Sequence, residues 1–290
     1  MNLNMRTYLA AAIAALGIGL ANPQAATIAH WNFDSGTPGA SMAGGGSGGV
    51  PAVPDLSGNN YTMWAWDDYW GPEYSQLGQT PTGGGLSSAH AGHDDGYCPD
   101  AGLVGWQPLT WTIELSVKLD NIGGWNTMIG RDGSTGVSGE VEAGFYFQNN
   151  GIDDRFRINF STVGGQRYIL DSDFAAVAGQ WYHLAAVSDG LLLTLYANKL
   201  DGAGFLPVGS LSLNPGNDNR LRATSTWTFG RGWWNGSFVD HIVGNLDNIR
   251  FSDAALTPAE FIQVPEPSLL ALVALGGLVL GGRRRLGGNA

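Results

Sequence analysis

Hydrophobic residues between positions 27 and 262 recur with the alternating period of β-strands, and no long stretch there has helical periodicity. The segment Trp111–Leu119 (WTIELSVKL) is the clearest case. Its odd-numbered residues are apolar and are predicted to face the core, whereas its even-numbered residues are polar or charged and are predicted to face outwards. Further strands are predicted on the same grounds at Trp125–Arg131, Val141–Gln148, Arg155–Ser161, Gln166–Leu170, Trp181–Ser188, Leu191–Ala197, Phe205–Leu213, Trp227–Arg231 and Gly244–Phe251.

Turn residues separate these segments. Asp189-Gly190 lies between two predicted strands and is a strong signal for a hairpin. Thr257–Glu260 (TPAE) is the one stretch typical of a helix start, with Thr257 as N-cap and Glu260 completing a capping box. Many short strands joined by turns predict an all-β fold, an antiparallel β-sandwich.

The N-terminal residues differ from this body. Met1–Arg6 carries one positive charge, Leu9–Ala21 is apolar and rich in alanine, and small residues follow at Ala25 and Ala26. This pattern predicts a secretory signal peptide over residues 1–26, with an uncleaved N-terminal anchor as the alternative. We therefore expect the protein to be exported.

The C-terminal residues have a different pattern. An uncharged apolar run at 268–282 follows Val264–Pro267 (VPEP) and ends at Arg283, Arg284 and Arg285. The run is short for a membrane span, and its cationic end is expected on the cytoplasmic side. One interpretation is a plain C-terminal membrane anchor.

The order of Pro265, Glu266 and Pro267, the apolar run and the three arginines, within residues 263–290, resembles the PEP-CTERM sorting signal of Gram-negative bacteria. The resemblance implies that an exosortase-type enzyme recognises the motif and releases the protein from its membrane tail. It also implies that the protein touches the inner membrane only through this tail, before processing, and then reaches the cell surface or the extracellular matrix.

Composition narrows the classes of partner. The chain has 14 Lys and Arg against 25 Asp and Glu, a formal charge of −11, which disfavours nucleic acid and anionic membranes as partners. Neutral sugars and divalent cations suit such a chain better. Eleven Trp and eleven Phe supply enough apolar surface for a folded core despite 45 Gly. Because Cys98 is the only cysteine, it can pair between chains or act as a small buried apolar group, but it cannot form an intramolecular disulfide.

The body of the chain, residues 27–262, resembles a laminin-G-like domain of the concanavalin A-like jelly-roll superfamily. The resemblance implies a jelly-roll sandwich. Two features depart from the family pattern: the segment 63–105 is an insertion without a counterpart, and Asn198 stands where the family has Asp-Gly. The matching pieces, in chain order, are Trp31–Asp34, Asp55–Asn60, Trp111–Val117, Met128–Arg131, Trp181–Ala185, Leu195–Asn198, Gly244–Arg250 and Ala255–Glu260.

Oxygen-bearing side chains stand at the ends of several predicted strands. Because first and last strands of a jelly roll are commonly neighbours, Asp34, Asp55, Asn60 and Asp247 are expected to approach one sheet edge. Calcium binds six to eight such oxygens. The resemblance implies a structural Ca²⁺ held by these four residues. The alternative is that they form Asx turns at strand ends.

Aromatic residues cluster in two places. Trp64, Trp66 and Trp70 lie in a segment that also contains two aspartates, and Trp233 and Trp234 lie between glycines in a late loop. Flat rings beside carboxylates and amides are typical of sugar-binding platforms, because the C–H faces of sugars stack on aromatic planes. The alternative is that these rings belong to the core.

The remaining groups of polar residues give weaker evidence of a functional site. The loop residues His90, His93, Asp94, Asp95, Tyr97 and Asp100 are interpreted as solvated, with a transition-metal site as the alternative. His183 lies in an apolar run and is interpreted as a core residue.

Catalysis is not expected. Glu140 and Glu142 alternate on one predicted strand as carboxylates of retaining glucanases do, but the intervening Asp of the glucanase pattern is missing. We assign no catalytic residue. The predicted function is non-catalytic binding of an extracellular polysaccharide or a surface protein. The alternatives are a purely structural matrix component and a glycoside hydrolase or polysaccharide lyase.

Overall fold

The structure, a computed structural model, describes residues 27–43, 49–66, 71–76, 85–133 and 143–262. Within these ranges it contains strands and one short helix, α1 (Ala101–Val104). The strands are β1 (Thr27–Trp31), β2 (Val50–Val53), β3 (Met63–Trp66), β4 (Glu73–Ser75), β5 (Ser87–Ala91), β6 (Asp95–Cys98), β7 (Trp111–Leu119), β8 (Asn126–Arg131), β9 (Phe145–Asn149), β10 (Arg155–Ser161), β11 (Arg167–Ala175), β12 (Trp181–Ser188), β13 (Leu192–Asn198), β14 (Phe205–Ser212), β15 (Trp227–Phe229), β16 (Gly232–Trp234), β17 (Ser237–Val239) and β18 (Val243–Ser252).

These strands form two antiparallel eight-stranded sheets and one separate hairpin. Sheet I has the order β14-β13-β12-β7-β18-β5-β4, and β1 also pairs with β18. Sheet II has the order β11-β10-β9-β8-β15-β6-β3-β2. The hairpin consists of β16 and β17. The predicted all-β sandwich is confirmed, as is the expected pairing of the first and last strands.

The core lies between the two sheets. Trp111, Ile113 and Leu115 of β7 are fully buried in it, as their alternation predicts. Large rings join the layers: Trp227 meets Phe251 of β18 edge-on, with ring centres 4.8 Å apart. Burial of such apolar area is the main source of stability in a domain without a disulfide.

The hairpin predicted at Asp189-Gly190 is present. Asp189 Oδ1 accepts hydrogen bonds from the backbone N–H groups of Leu191 (2.8 Å) and Leu192 (2.7 Å). Gly190 has a φ of +92°, a conformation that favours glycine. The turn joins β12 to β13.

The helix start predicted at Thr257 produces a turn in the described residues. Its capping contact forms, because the Thr257 N–H donates to Glu260 Oε2 at 2.8 Å. The chain then turns towards sheet I, where the Phe261 ring packs 4.9 Å from that of Phe205. The Ile262 N–H donates to Glu114 Oε2 at 2.9 Å. These contacts draw the segment onto the sheet instead of allowing a helix to continue.

This C-terminal segment, residues 253–262, covers the outer face of sheet I. Of the even-numbered residues of β7, expected to face outwards, Thr112, Glu114 and Ser116 do so but are buried, whereas Lys118 is partly exposed. Glu114 accepts hydrogen bonds from Arg250 Nε and lies 3.1 Å from His183 Nε2. His183 is buried, as predicted.

The segment 63–105 belongs to both sheets. It supplies β3 and β6 to sheet II, and β4 and β5 to sheet I. The segment is therefore part of the sandwich itself. Among the described residues, no helix is long and apolar enough to span a bilayer.

Candidate functional site

A groove of about 410 Å³ lies on the outer face of sheet II. Its floor comes from β9, β10 and β11, and its walls come from the residue before β8 and from the β16–β17 hairpin. It is lined by Trp125, Tyr146, Gln148, Arg157, Asn159, Ile169, Trp234, Val239 and Asp240.

Strand alternation produces the polar floor. In β9, Phe145 and Phe147 point into the core, so Tyr146 and Gln148 point to the opposite face. In β10, the buried Phe156, Ile158 and Phe160 leave Arg157 and Asn159 on that same outer face. The sequence predicts these strands, but not that their outer faces would form one floor.

Two tryptophans form the walls. Trp125 is 39% exposed and Trp234 is 48% exposed. Close packing positions Trp125, since a Cβ at Gly151 would lie 2.8 Å from Trp125 Cδ1. Trp125 is absent from the predicted platform, although the glycine pair before it was a usable signal.

The β16–β17 hairpin presents Trp234 to the groove. Its two-residue turn is Asn235-Gly236, with φ values of +49° and +78°. Positive φ at both positions is the requirement of a type I′ turn, for which Asn-Gly is the preferred sequence. That dipeptide is a strong hairpin signal, and a hairpin stands here where the sequence-based prediction is a loop.

Trp233 anchors the same hairpin. It is 9% exposed and packs in a small apolar cluster with Ala143 and Tyr146. The Tyr146 hydroxyl donates to the Trp233 carbonyl. Because neighbouring strand residues point to opposite sides, Trp233 faces the sheet and Trp234 faces solvent.

The groove contains a charged pair that neutralises itself. Arg157 donates to both oxygens of Asp171, at 2.6 and 2.8 Å, and its guanidinium lies 5.4 Å from the centre of the Trp125 ring. The bond to Asp171 raises the pKa of Arg157. Partial burial alone would raise the pKa of Asp171, but Arg157 outweighs it and lowers that pKa. The pair also holds Trp125 in place by a cation–π contact.

Two amides offer free donors to the groove. Gln148 Oε1 accepts from Thr127 Oγ1 at 3.3 Å, and Asn159 Oδ1 accepts from Arg167 Nε at 2.7 Å. Their NH₂ groups have no hydrogen-bond partner among the described residues. Asp240 adds an acceptor, and burial raises its pKa. The groove thus combines two exposed rings with donors and an acceptor.

The predicted calcium residues make turn contacts. Asp55 Oδ1 accepts from the His30 N–H at 2.9 Å and the Ser57 N–H at 2.8 Å, and its Oδ2 accepts from Ser57 Oγ at 2.7 Å and the Tyr61 N–H at 3.1 Å. All its acceptor capacity is occupied.

The other three residues predicted to bind calcium also have contacts or a turn conformation within the protein. Asp34 accepts from the Leu86 N–H at 2.8 Å, Asn60 has a φ of +62° in a turn, and buried Asp247 accepts from the Asn248 N–H at 2.7 Å. In the described part of the chain, no group of three or more His, Cys, Asp or Glu side chains is arranged to hold a metal. Of the four residues, Asp55 makes the Asx-turn contact, to the N–H two residues on, and calcium stays a prediction.

Trp64 and Trp66 lie away from the groove, on β3 near the far edge of sheet II. Trp70 lies outside the described residues, as do Glu140 and Glu142. Outside them also lie the sorting residues Pro265, Glu266, Pro267, Arg283, Arg284 and Arg285.

Comparison with known families gives two matches. The model of the concanavalin A-like lectin/glucanases superfamily matches residues 91–261. The model of the PEP-CTERM protein-sorting motif matches residues 263–285. No curated protein is a significant match.

Several solved structures are similar to this chain. One is domain 4 of AbnA, a GH43 extracellular arabinanase from Geobacillus stearothermophilus, in complex with arabinotriose. Its TM-score is 0.57 at 19% sequence identity, and the match covers 84% of this chain and 100% of that one. The botulinum neurotoxin serotype G binding domain has a TM-score of 0.53 at 11% identity, covering 81% and 49%. A Ruminococcus gnavus sialidase CBM40 bound to sialyllactose has a TM-score of 0.45 at 16% identity, covering 56% and 84%.

Proposed function

Because this chain belongs to the concanavalin A-like lectin/glucanases superfamily, we propose that the groove on sheet II binds a carbohydrate without cleaving it. The PEP-CTERM motif indicates export across the membrane and processing by an exosortase-type enzyme in a Gram-negative bacterium. We propose that the processed protein acts at the cell surface or in the extracellular matrix, with a polysaccharide as its partner.

The observation that carries the proposal is the pairing of exposed rings with unpartnered amides. Trp125 and Trp234 are exposed at the two walls, although tryptophan is usually largely buried. Sugar C–H faces stack on such rings. Between them, the NH₂ groups of Gln148 and Asn159 suit hydroxyl oxygens. The arabinanase domain that shares this fold was solved with a neutral trisaccharide, which is compatible with a groove of this kind.

The carboxylates of the groove support binding rather than hydrolysis. A retaining glycosidase needs one carboxylate as nucleophile and another as acid, about 5–5.5 Å apart. Asp171 is committed to Arg157 by two hydrogen bonds. Among the described lining residues, Asp240 is the one carboxylate.

The C-terminal end of the domain lies away from the groove. Residues 253–262, which precede the sorting motif, cover the outer face of sheet I. The groove lies on the outer face of sheet II, on the opposite side of the sandwich. Attachment or processing at the C-terminal end therefore leaves the groove open to a polysaccharide.

A glycan array tests the proposal, followed by calorimetric titration with the best ligand. We expect Trp125→Ala and Trp234→Ala each to lower affinity about tenfold or more, because rings of this kind dominate binding energy. Leu192→Ala, at an exposed position on sheet I, is the control and should change nothing. Repeating the titration with calcium and with chelator tests the calcium prediction. A folded protein that binds no glycan would favour a structural role instead.

A further inference from the structure

A second group of aromatic side chains lies on the face of sheet II that carries the groove. In β3, Met63 and Ala65 point into the core, so Trp64 and Trp66 point outwards. Trp64 is half-buried and Trp66 is 40% exposed. Tyr97 of β6 joins them, with its ring centre 6.4 Å from that of Trp64 and 6.3 Å from that of Trp66.

A row of residues that pair with one another across neighbouring strands connects this group to the groove. Each residue of the row pairs with the next across neighbouring strands, and every side chain in it lies on the outer face. At about 4.8 Å per strand, the six steps span about 29 Å. The row runs Ile169, Asn159, Tyr146, Gly130, Thr228, Tyr97 and Trp64.

The β16–β17 hairpin lies over the middle of this row. It approaches closely because Gly130 has no side chain: a Cβ there would lie 2.8 Å from the Arg231 carbonyl oxygen. The hairpin carries two exposed rings, Trp234 and the 54% exposed Phe238. Exposed aromatic rings therefore stand at one end of the row, on the hairpin above its middle, and at the other end.

Two arginines near the row are paired with carboxylates. Beneath the hairpin, Arg231 bonds to Asp95 and, at 2.8 Å, to Asp132 Oδ1. In the groove, Arg157 is paired with Asp171. A third, Arg167, donates to neutral groups, Asn159 Oδ1 at 2.7 Å and Ser161 Oγ at 3.0 Å, which occupy its guanidinium. These contacts favour a neutral ligand over an anionic one. The exposed rings are also separated by polar residues, which suits a chain of sugars better than the continuous apolar patch of a protein interface.

We propose that Trp64, Trp66 and Tyr97 form a second subsite of one extended face, and that its ligand is a neutral polysaccharide running from the groove, over the β16–β17 hairpin, to these rings. This inference rests on carbohydrate binding at the groove. The two tryptophans lie in the segment 63–105, upstream of the family match at 91–261, so the subsite is a feature of this chain.

The two subsites make affinity depend on chain length. A trisaccharide fills the groove alone, whereas a polymer that reaches both subsites gains the second contact at a high effective concentration. Loss of the Trp66 ring should therefore weaken polymer binding about tenfold and leave trisaccharide binding unchanged.

The experiment compares polymer and trisaccharide binding in the purified full-length protein. The probes are linear arabinan, mixed-linkage β-glucan and mannan, each beside its own trisaccharide, with polygalacturonate as a charged polymer. We expect a neutral polymer to bind more tightly than its trisaccharide, and polygalacturonate not to bind. Trp125→Ala should weaken both neutral ligands. Trp66→Ala should weaken only the polymer, and Trp66→Phe, which keeps a ring, should restore most of that loss. Leu192→Ala is the control.

The outcomes separate this inference from the proposed function. If a glycan binds and Trp125→Ala weakens it, but Trp66→Ala leaves polymer affinity within about twofold of wild type, the second subsite is refuted and the groove stands. Preferential binding of polygalacturonate refutes the neutral ligand. If none of the probes binds the folded protein, both the inference and carbohydrate binding at the groove are overturned.

Discussion

Glu114 is the residue whose replacement should destabilise this domain most clearly. Its carboxylate is fully buried on the outer face of sheet I, where it bonds to Arg250, His183 and the Ile262 N–H. Burial alone would raise the pKa of Glu114, but His183 and Arg250 outweigh it and lower that pKa. The carboxylate is therefore ionised in the folded protein at neutral pH.

Glu114→Gln removes the charge and keeps the shape. It leaves Arg250 and His183 without their carboxylate partner, and breaking a buried pair from one side costs about 3–5 kcal/mol. Because about 1 kcal/mol lowers Tm by about 2–4 °C in a domain of this size, we expect a loss of about 10 °C. The assay is thermal unfolding followed by circular dichroism at pH 7.

An exposed ion pair supplies the matched control. Asp218 and Arg220 lie 2.6 Å apart with both side chains largely exposed, so Asp218→Asn should leave Tm unchanged. Glu114→Gln should also make residues 253–262 more susceptible to proteolysis, because one amide oxygen replaces the two carboxylate oxygens that accept separately from Arg250 and from the Ile262 N–H. A Glu114→Gln protein that melts within about 2 °C of wild type would refute our reasoning on the buried network.

Three further predictions follow from burial and close packing. His90 is buried on β5, so its interpretation as a solvated loop residue is wrong. Burial lowers its pKa below the ordinary 6.5, so the unfolded chain binds the proton more readily and stability should fall as pH drops from 7.5 to 6. The dependence of Tm on pH should be shallower in His90→Gln. Asp95, whose pKa burial raises to about 6, takes up a proton in the lower part of this window and favours the folded state there, but this contribution is shared by wild type and His90→Gln, so their difference reports on His90. Gly151→Ala should displace Trp125 and weaken glycan binding about tenfold, and it should also lower Tm, because the added Cβ would lie 2.9 Å from the Trp125 backbone nitrogen. Gly123→Ala, whose nearest neighbour would be 3.7 Å away, should bind normally and keep its Tm. Equal affinity in the two variants would contradict the packing argument. Burial raises the pKa of Cys98 to about 11. The native protein should therefore resist alkylation by iodoacetamide until it is unfolded. Rapid labelling of the native protein would contradict the burial of this thiol.

Local patterns predicted most of the strands. Arg155–Ser161 and Trp181–Ser188 have the boundaries that alternation indicates, and the Asp189-Gly190 hairpin forms as expected. Other boundaries differ by a few residues, since strand ends depend on the neighbours with which they pair. Both family resemblances are confirmed by the matches at 91–261 and 263–285. These features are predictable because alternation, turn residues and motif order are properties of short stretches of chain.

The candidate site was only partly predictable. Trp233 and Trp234 look equivalent in the sequence, and alternation shows only that they face opposite sides. The packing of the hairpin on Tyr146 decides that Trp233 is buried and Trp234 is exposed. Likewise, Arg157 and Asn159 read as ordinary outward-facing residues of a strand, and nothing local marks them as a groove floor.

The sequence by itself determined the fold class, which residues of each strand share a face, and the sorting motif. The tertiary structure alone decided which outer face became a groove, how the segment 63–105 divides between the sheets, and that Glu114 lies beneath the C-terminal segment. The physical reason is the distance along the chain over which each effect acts. Alternation and turn propensity act over a few residues, whereas the groove brings together Trp125, Arg157 and Trp234, which only the pairing of distant strands and the packing of the hairpin place side by side.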